Sequence, residues 1–325
     1  MATEFLDLPS EEQKDVINAA APKIGLLPAV VEKDVWVCVV LNFLFSIPER
    51  REMVFKGGTS LSKVYGLIKR FSEDIDISVN FLKDYGTEIS KTKAGNIRDE
   101  IESNLQTYKE SILIPALTES AKKHNLTVTP GDTPWEIDIN YKSVLATTAG
   151  YIKPRVKIEL SGRNQIEPNT TQKIRPYLAQ ETTGLVFPEP TIDALLAERT
   201  FWEKVTLIHA ELHKGSFEES ADRMSRHWSD VSVLMKQDAG KNAIKNTELC
   251  EMVVKHKDAF WRDGKAKYGD CLNKTFRLVP TGNVLAVLKS DYEAMITAGM
   301  FFDEKPASFD DMMNDIAALE STLNS

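Results

Sequence analysis

Asp74 and Asp76 are separated by one isoleucine in the stretch FKGGTSLSKVYGLIKRFSEDIDISV, residues 55–79. On an extended strand alternate residues share a face, so the two carboxylates point the same way, roughly 6–7 Å apart. Such a pair repels itself unless a cation sits with it. Mg²⁺ prefers one or two carboxylates plus phosphate oxygens, so this spacing is half of a metal–nucleotide site. Upstream, Gly57 and Gly58 let the backbone approach a ligand closely. A helix beginning there points free N–H groups at the same place. Lys63, five residues after the second glycine, could neutralise a phosphate. Taken singly, the glycine pair is more often an ordinary turn and the Asp-x-Asp a solvated charge. Their order, glycine pair, helix, Asp-x-Asp strand, is what points to one site.

The elements around this stretch follow from periodicity. Ile75, Ile77 and Val79 alternate with Asp74, Asp76 and Ser78, which predicts a strand over 74–79. Thr59–Lys69 reads as helical. Residues 9–47 predict two helices, the first opened by Pro9-Ser10 with Glu11 and Glu12 in its first turn. The second contains VWVCVVLNFLF, 35–45, too short to span a bilayer and apolar on most sides, as a core helix is. Residues 93–124 predict a long amphipathic helix that Pro115 kinks or splits. Strands are expected at 126–130, 135–141 and 151–160. The proline-containing segment 164–190 suits a connection between lobes. From Thr191 the pattern reads as helical, with Thr191 as cap, Ile192, Leu195, Leu196, Trp202, Val205, Ile208 and Leu212 as the apolar face, and Gly215 as terminator. The expected class is α+β: a mixed sheet with helices over 1–175, then a mainly helical lobe over 176–325 that completes an active-site cleft.

Composition narrows the setting. A chain of 325 residues can bury a substantial core without disulfides. Its net charge of −8 argues against coating nucleic acid non-specifically, though not against a local basic groove built from Lys69-Arg70, Arg155, Lys157, Arg163, Arg223 and Arg226. Cys38, Cys250 and Cys271 are widely spaced, which suits a reducing compartment and no thiolate zinc site. MATEFLDLPSEEQKDV has neither a basic start nor a long apolar run, so no signal peptide and a cytoplasmic location are expected. His209 and His213 stand i,i+4, but Ala210 follows the first where a zinc protease helix needs Glu, so no zinc site is expected.

KGGTSLSK together with FSEDIDI resembles the AbiEii/AbiGii toxin family within the polymerase-β-like nucleotidyltransferase superfamily. VEKDVWV (31–37), PRVKIELSGR (154–163), RTFWEKVTLIH (199–209) and DRMSRHWSDV (222–231) resemble further stretches of that family in order. The glycine-to-aspartate spacing is a little longer here than in many superfamily members.

The resemblance implies a nucleotidyltransferase using Mg²⁺ or Mn²⁺ and an NTP. Gly57, Gly58, Thr59, Ser60 and Lys63 would bind the nucleotide, and Asp74 and Asp76 the metal. A third carboxylate would be Glu159 or Asp138, with Glu159 favoured by its surroundings. Lys204 would stabilise phosphate charge. Asp230 would act as base on an incoming hydroxyl or orient Lys204; from spacing alone Asp230 also suits a pair with Arg226. The implied acceptor is RNA, the tRNA 3′ end favoured, and the implied partner an antitoxin from a neighbouring gene; no membrane is involved. The rival readings are an AMP transferase acting on protein and a non-catalytic nucleotide-binding module.

Overall fold

The computed structural model describes all residues except 1–2, 87–88, 146–151, 216–220, 262 and 303–304. The chain forms two compact units. The first comprises residues 1–64, 71–84 and 100–194, the second 65–70, 85–99 and 195–325. Residues 176–194, assigned from sequence to the helical lobe, thus fall in the first unit, and the chain passes between the units more than once.

The first unit holds β1 (Thr3–Glu4), α1 (Ser10–Ile24), α2 (Pro28–Phe45), β2 (Met53–Lys56), α3 (Gly57–Lys63), β3 (Ile75–Val79), α5 (Ile114–Ala121), β4 (Thr127–Pro130), β5 (Glu136–Asn140), β6 (Arg155–Ser161), β7 (Asn169–Lys173), β8 (Leu185–Val186) and β9 (Thr191–Leu195). Helix α4 (Lys91–Tyr108) is shared between the units, and a π turn over Lys109–Leu113 leads from it into α5. Pro115 sits in the first turn of α5, directly after this π turn, and the residues flanking the junction keep right-handed helical dihedrals. The main sheet runs β4-β5-β6-β3-β2-β9-β7. It is mixed: β3–β6 and β2–β9 are parallel, whereas β2–β3, β4–β5 and β5–β6 are antiparallel.

Alternation gives this sheet two unlike faces. Phe55, Ile75, Ile77, Ile137, Ile139, Val156, Ile158 and Leu160 are buried, and α2 packs against β6. Lys56, Asp76, Glu159 and Glu136 stand side by side in register on the other face. A one-residue slip would exchange the faces, so core burial itself fixes which way the carboxylates point.

Two expectations change. The helix after the glycines ends at Lys63 rather than Lys69. Thr191–Leu195 is strand β9, with Ala194 opposite Phe55, and the helix starts at Ala197. Ile192 and Leu195 fit a helical i,i+3 stripe, but Ile192 and Ala194 also alternate inward, and pairing with β2 decides the outcome.

The second unit contains α6 (Ala197–Lys214), α7 (Ser225–Leu234), α8 (Asp238–Lys245), α9 (Thr247–Phe260), α10 (Tyr268–Leu272), α11 (Asn283–Thr297) and α12 (Phe309–Asn324). Gly215, at φ 71°, ends α6 as expected. Trp202 of α6 and Trp228 of α7 are both buried, and their ring N–H groups donate to the carbonyls of Ala243 and Leu278. No helix among the described residues is long and apolar enough to cross a membrane.

Candidate active site

Gly57 is where strand β2 turns into helix α3, and its φ of +79° favours glycine. A Cβ built there would lie 2.0 Å from Oδ2 of Asp76. The missing side chain therefore makes room for the carboxylate. The turn is tied down by two hydroxyls: Ser60 donates to the Gly57 carbonyl at 3.0 Å, and Thr59 donates to Ser72 Oγ at 2.9 Å. Gly58, Thr59 and Ser60 are buried.

Asp76 on β3 is in register with Glu159 on β6. Asp74, two residues before Asp76, shares its side of the chain and acts electrostatically on Glu159. Partial burial raises the Glu159 carboxyl, and the negative charges of Asp76, Asp74 and Glu136 raise it further, to about 7. Asp138, the other candidate for a third carboxylate, is instead ion-paired with Arg155.

These groups fit a divalent cation. The negative charges of Asp74 and Asp76 raise the half-buried Glu159 carboxyl, and a bound cation would relieve that crowding. Among the described residues no group of three or more His, Cys, Asp or Glu is gathered so as to hold a metal alone. Mg²⁺ normally needs only one or two carboxylates when phosphate oxygens complete its shell. Asp74 and Asp76 would hold it, with Glu159 beside them.

Lys63 does not turn toward the carboxylates. Its ammonium is buried in an ion pair with Asp34 of α2 and lies 3.9 Å from the Tyr177 ring centre. Asp34 also accepts from the Tyr177 backbone N–H at 2.6 Å. Its neighbours on α2 act likewise. Glu32 accepts from Ser143 Oγ and Val144 N, each at 2.7 Å. Lys33 pairs with Glu73 and donates to the Lys153 carbonyl. Three consecutive buried charges thus fasten five segments of the first unit to one helix. Unpaired, such groups would cost several kcal/mol each. The VEKD run was legible as a match, but nothing local showed that Lys33 meets Glu73, beside Asp74.

In the second unit Lys204 and Asp230 do meet, at 2.9 Å. Arg70 grips the same carboxylate with two bonds, Nε to Oδ1 at 2.6 Å and Nη2 to Oδ2 at 2.7 Å. Arg226, the partner suggested by spacing, acts through its charge on Lys204 and His227. Burial favours a neutral Asp230, but the charges of Arg70 and Lys204 outweigh it and hold the carboxyl well below its usual range. Burial lowers Lys204, as do Arg70 and Arg226, against the pull of Asp230. His227 lies 3.5 Å from the Lys204 ammonium and is kept neutral by burial and neighbouring cations. Helix α7 is set by Asp291, which accepts from the backbone N–H groups of Arg223 and Ser225 at 2.6 and 2.8 Å. That is a cap supplied from α11.

Arg155, Lys157 and Arg163 of the expected groove are matched by acids. Lys157 pairs with Glu136 at 2.9 Å, and Arg163 with Glu102 at 3.2 Å. His209 accepts from the Arg277 N–H and faces the Lys267 carbonyl, a structural role.

A glycine turn packed against carboxylates on a mixed sheet, followed by a helical unit, defines a nucleotidyltransferase fold. The chain belongs to the family described as nucleotidyl transferase AbiEii toxin, type IV TA system, whose model matches residues 42–315. It is a nucleotidyltransferase toxin of a type IV toxin–antitoxin system. Its structure is similar to that of MenT4, a nucleotidyltransferase toxin from Mycobacterium tuberculosis H37Rv, with a TM-score of 0.50 and 15% identity over 98% of this chain and 93% of that one. At that identity the likeness shows the fold. No curated protein matches the chain.

Proposed function

We propose that this toxin transfers a nucleotide from an NTP to an RNA hydroxyl, the tRNA 3′ end being the favoured acceptor, with release of pyrophosphate. The observation that carries the reading is the seating of Asp76 against Gly57 and beside Glu159. It joins a close-approach backbone turn to a carboxylate group that calls for a cation. A bound Mg²⁺ or Mn²⁺ would supply charge neutralisation of the triphosphate and alignment of the reacting oxygens.

The chain's own groups supply the rest. Gly57 and Gly58, with the backbone of Thr59 and Ser60, receive phosphate oxygens. The two hydroxyls, already committed to Ser72 and Gly57, keep that turn in shape. Lys63 has a supporting role through Asp34. Lys204 would supply positive charge to the triphosphate, and its burial would strengthen that attraction. Asp230 orients Lys204. A carboxylate held so firmly ionised, with both oxygens bonded, is a poor proton acceptor, and this supports orientation over general-base chemistry. In the cell the activity would arrest growth in phage defence, in the cytoplasm, until a cognate antitoxin encoded nearby counters it.

The test is incubation with each labelled NTP, Mg²⁺ and a total cell extract, followed by separation of RNA from protein. Label at RNA 3′ ends, absent with Asp74→Ala or Asp76→Ala, is the expected result. Label in protein alone would make the chain a protein-modifying transferase. Toxicity and incorporation that survive both substitutions would leave only a binding module.

A further inference from the structure

The stretch between helix α3 and strand β3 does something the helix–strand reading of residues 55–79 did not foresee. Residues 65–70 leave the first unit and are moored on the second. Tyr65 donates its hydroxyl to the Leu195 carbonyl at 2.9 Å, and Gln237 donates to the Leu67 carbonyl at 2.8 Å. The Phe302 N–H donates to the Lys69 carbonyl at 2.9 Å, and Arg70 bridges Phe301. The extra length between glycines and aspartates is spent on this excursion. Its last residue is Arg70, four positions before Asp74.

We propose that Arg70 is a positioning residue for the transfer reaction, holding Asp230 and through it the Lys204 ammonium. The geometry is specific. A guanidinium using Nε and Nη2 against both carboxylate oxygens fixes the plane of the carboxylate, which a point charge cannot do. The Asp230 oxygen that takes Arg70 Nη2 also receives Lys204 at 2.9 Å, so turning the carboxylate turns the ammonium's acceptor. Arg70 and Asp230 have side chains 3% and 1% exposed, so water offers no ready substitute. Both cations bind the Asp230 carboxylate, so its orientation links them. One wall of a cavity of about 250 Å³ is formed by Arg70, Asp230, Ser229, Tyr292 and Phe301. Removing the Arg70 side chain would enlarge that cavity and give a small cation a route to Asp230.

The inference rests on the reading that Lys204 takes part in transfer, and the experiment separates the two. NTP-dependent nucleotide incorporation is measured for wild type, Lys204→Ala, Arg70→Ala and Arg70→Lys, with and without non-denaturing guanidinium. Arg70→Ala is expected to lose about a hundredfold in turnover, the scale of a misplaced reacting group. Guanidinium should restore much of that loss in Arg70→Ala and none in Lys204→Ala. Arg70→Lys, which keeps the charge and loses the fork, should remain well below wild type. Full activity of Lys204→Ala would refute the functional reading itself. An inactive Lys204→Ala beside a fully active Arg70→Ala would overturn the role of Arg70 alone. So would a folded Arg70→Ala, with wild-type melting, that guanidinium cannot rescue. Should Arg70→Ala fail to fold, wild-type turnover by Arg70→Lys overturns the proposal and a deficit in folded Arg70→Lys supports it.

Discussion

Oδ2 of Asp76 occupies the place where a side chain at Gly57 would begin, 2.0 Å from the position of a built Cβ. A strand carboxylate and a backbone turn are thereby locked into one arrangement. Gly57→Ala must either displace Asp76 or distort the turn, and it also forces alanine to φ +79°. The backbone penalty alone is about 1–2 kcal/mol. Gly25 is a matched control: its φ is +75°, yet nothing lies within 4 Å of its built Cβ. Gly25→Ala and Gly57→Ala should both lower stability in urea unfolding. Only Gly57→Ala should abolish nucleotide incorporation. Equal activity of the two variants would show that the contact with Asp76 is incidental.

The carboxylate group should make the metal-free protein sensitive to pH. Glu159 ordinarily titrates near 4.5 and is raised to about 7 in the fold. Because the folded state binds this proton more tightly than the unfolded state, stability falls as pH rises from about 4.5 to about 7 and then levels. Thermal melting of metal-free protein should therefore decline over that window, and Glu159→Gln should flatten that part of the decline. Added Mg²⁺ should raise the melting temperature more at pH 8 than at pH 6, because it competes with the proton for the same oxygens. A Mg²⁺ response that is independent of pH would detach Glu159 from the cation.

Lys63 shows where sequence reading reached its limit. Its spacing from the glycines suggests a phosphate ligand, but its partner Asp34 lies 29 residues upstream on another helix. Local alternation was enough to find β3 and its paired aspartates, and unbroken hydrophobicity was enough to find α2. The strand β9 was not legible, since TIDAL satisfies helical and extended periods alike and only pairing with β2 separates them. The Arg70–Asp230 pair joins residues 160 positions apart, beyond the reach of any periodic signal. Lys63→Ala tests the structural assignment. Leaving Asp34 buried and unpaired should cost about 3–5 kcal/mol in urea unfolding. The KM for NTP of the folded variant should change little. A large rise in KM with intact stability would return Lys63 to the phosphates.

Lys33 and Glu73 place a paired charge directly beside Asp74 and Asp76. Glu73 precedes Asp74 in the chain, and Lys33 lies 3% exposed against it while also feeling the charge of Asp74. Lys33→Met leaves Glu73 without its cation and adds an uncompensated negative charge next to a group already crowded with carboxylates. A loss of about 3–5 kcal/mol is expected, as for other buried pairs broken on one side. Glu73→Gln in the same chain removes the stranded charge, so the double variant should recover part of that stability. A double-mutant cycle in urea, with all four proteins at one pH, gives the coupling directly. The same cycle on Mg²⁺-dependent turnover shows whether the pair acts on chemistry. If Lys33→Met alone lowers turnover and the double variant restores it, electrostatic balance around Asp74 is the cause. Turnover that stays low in a double variant of recovered stability would instead show that Lys33 contributes through its own positive charge.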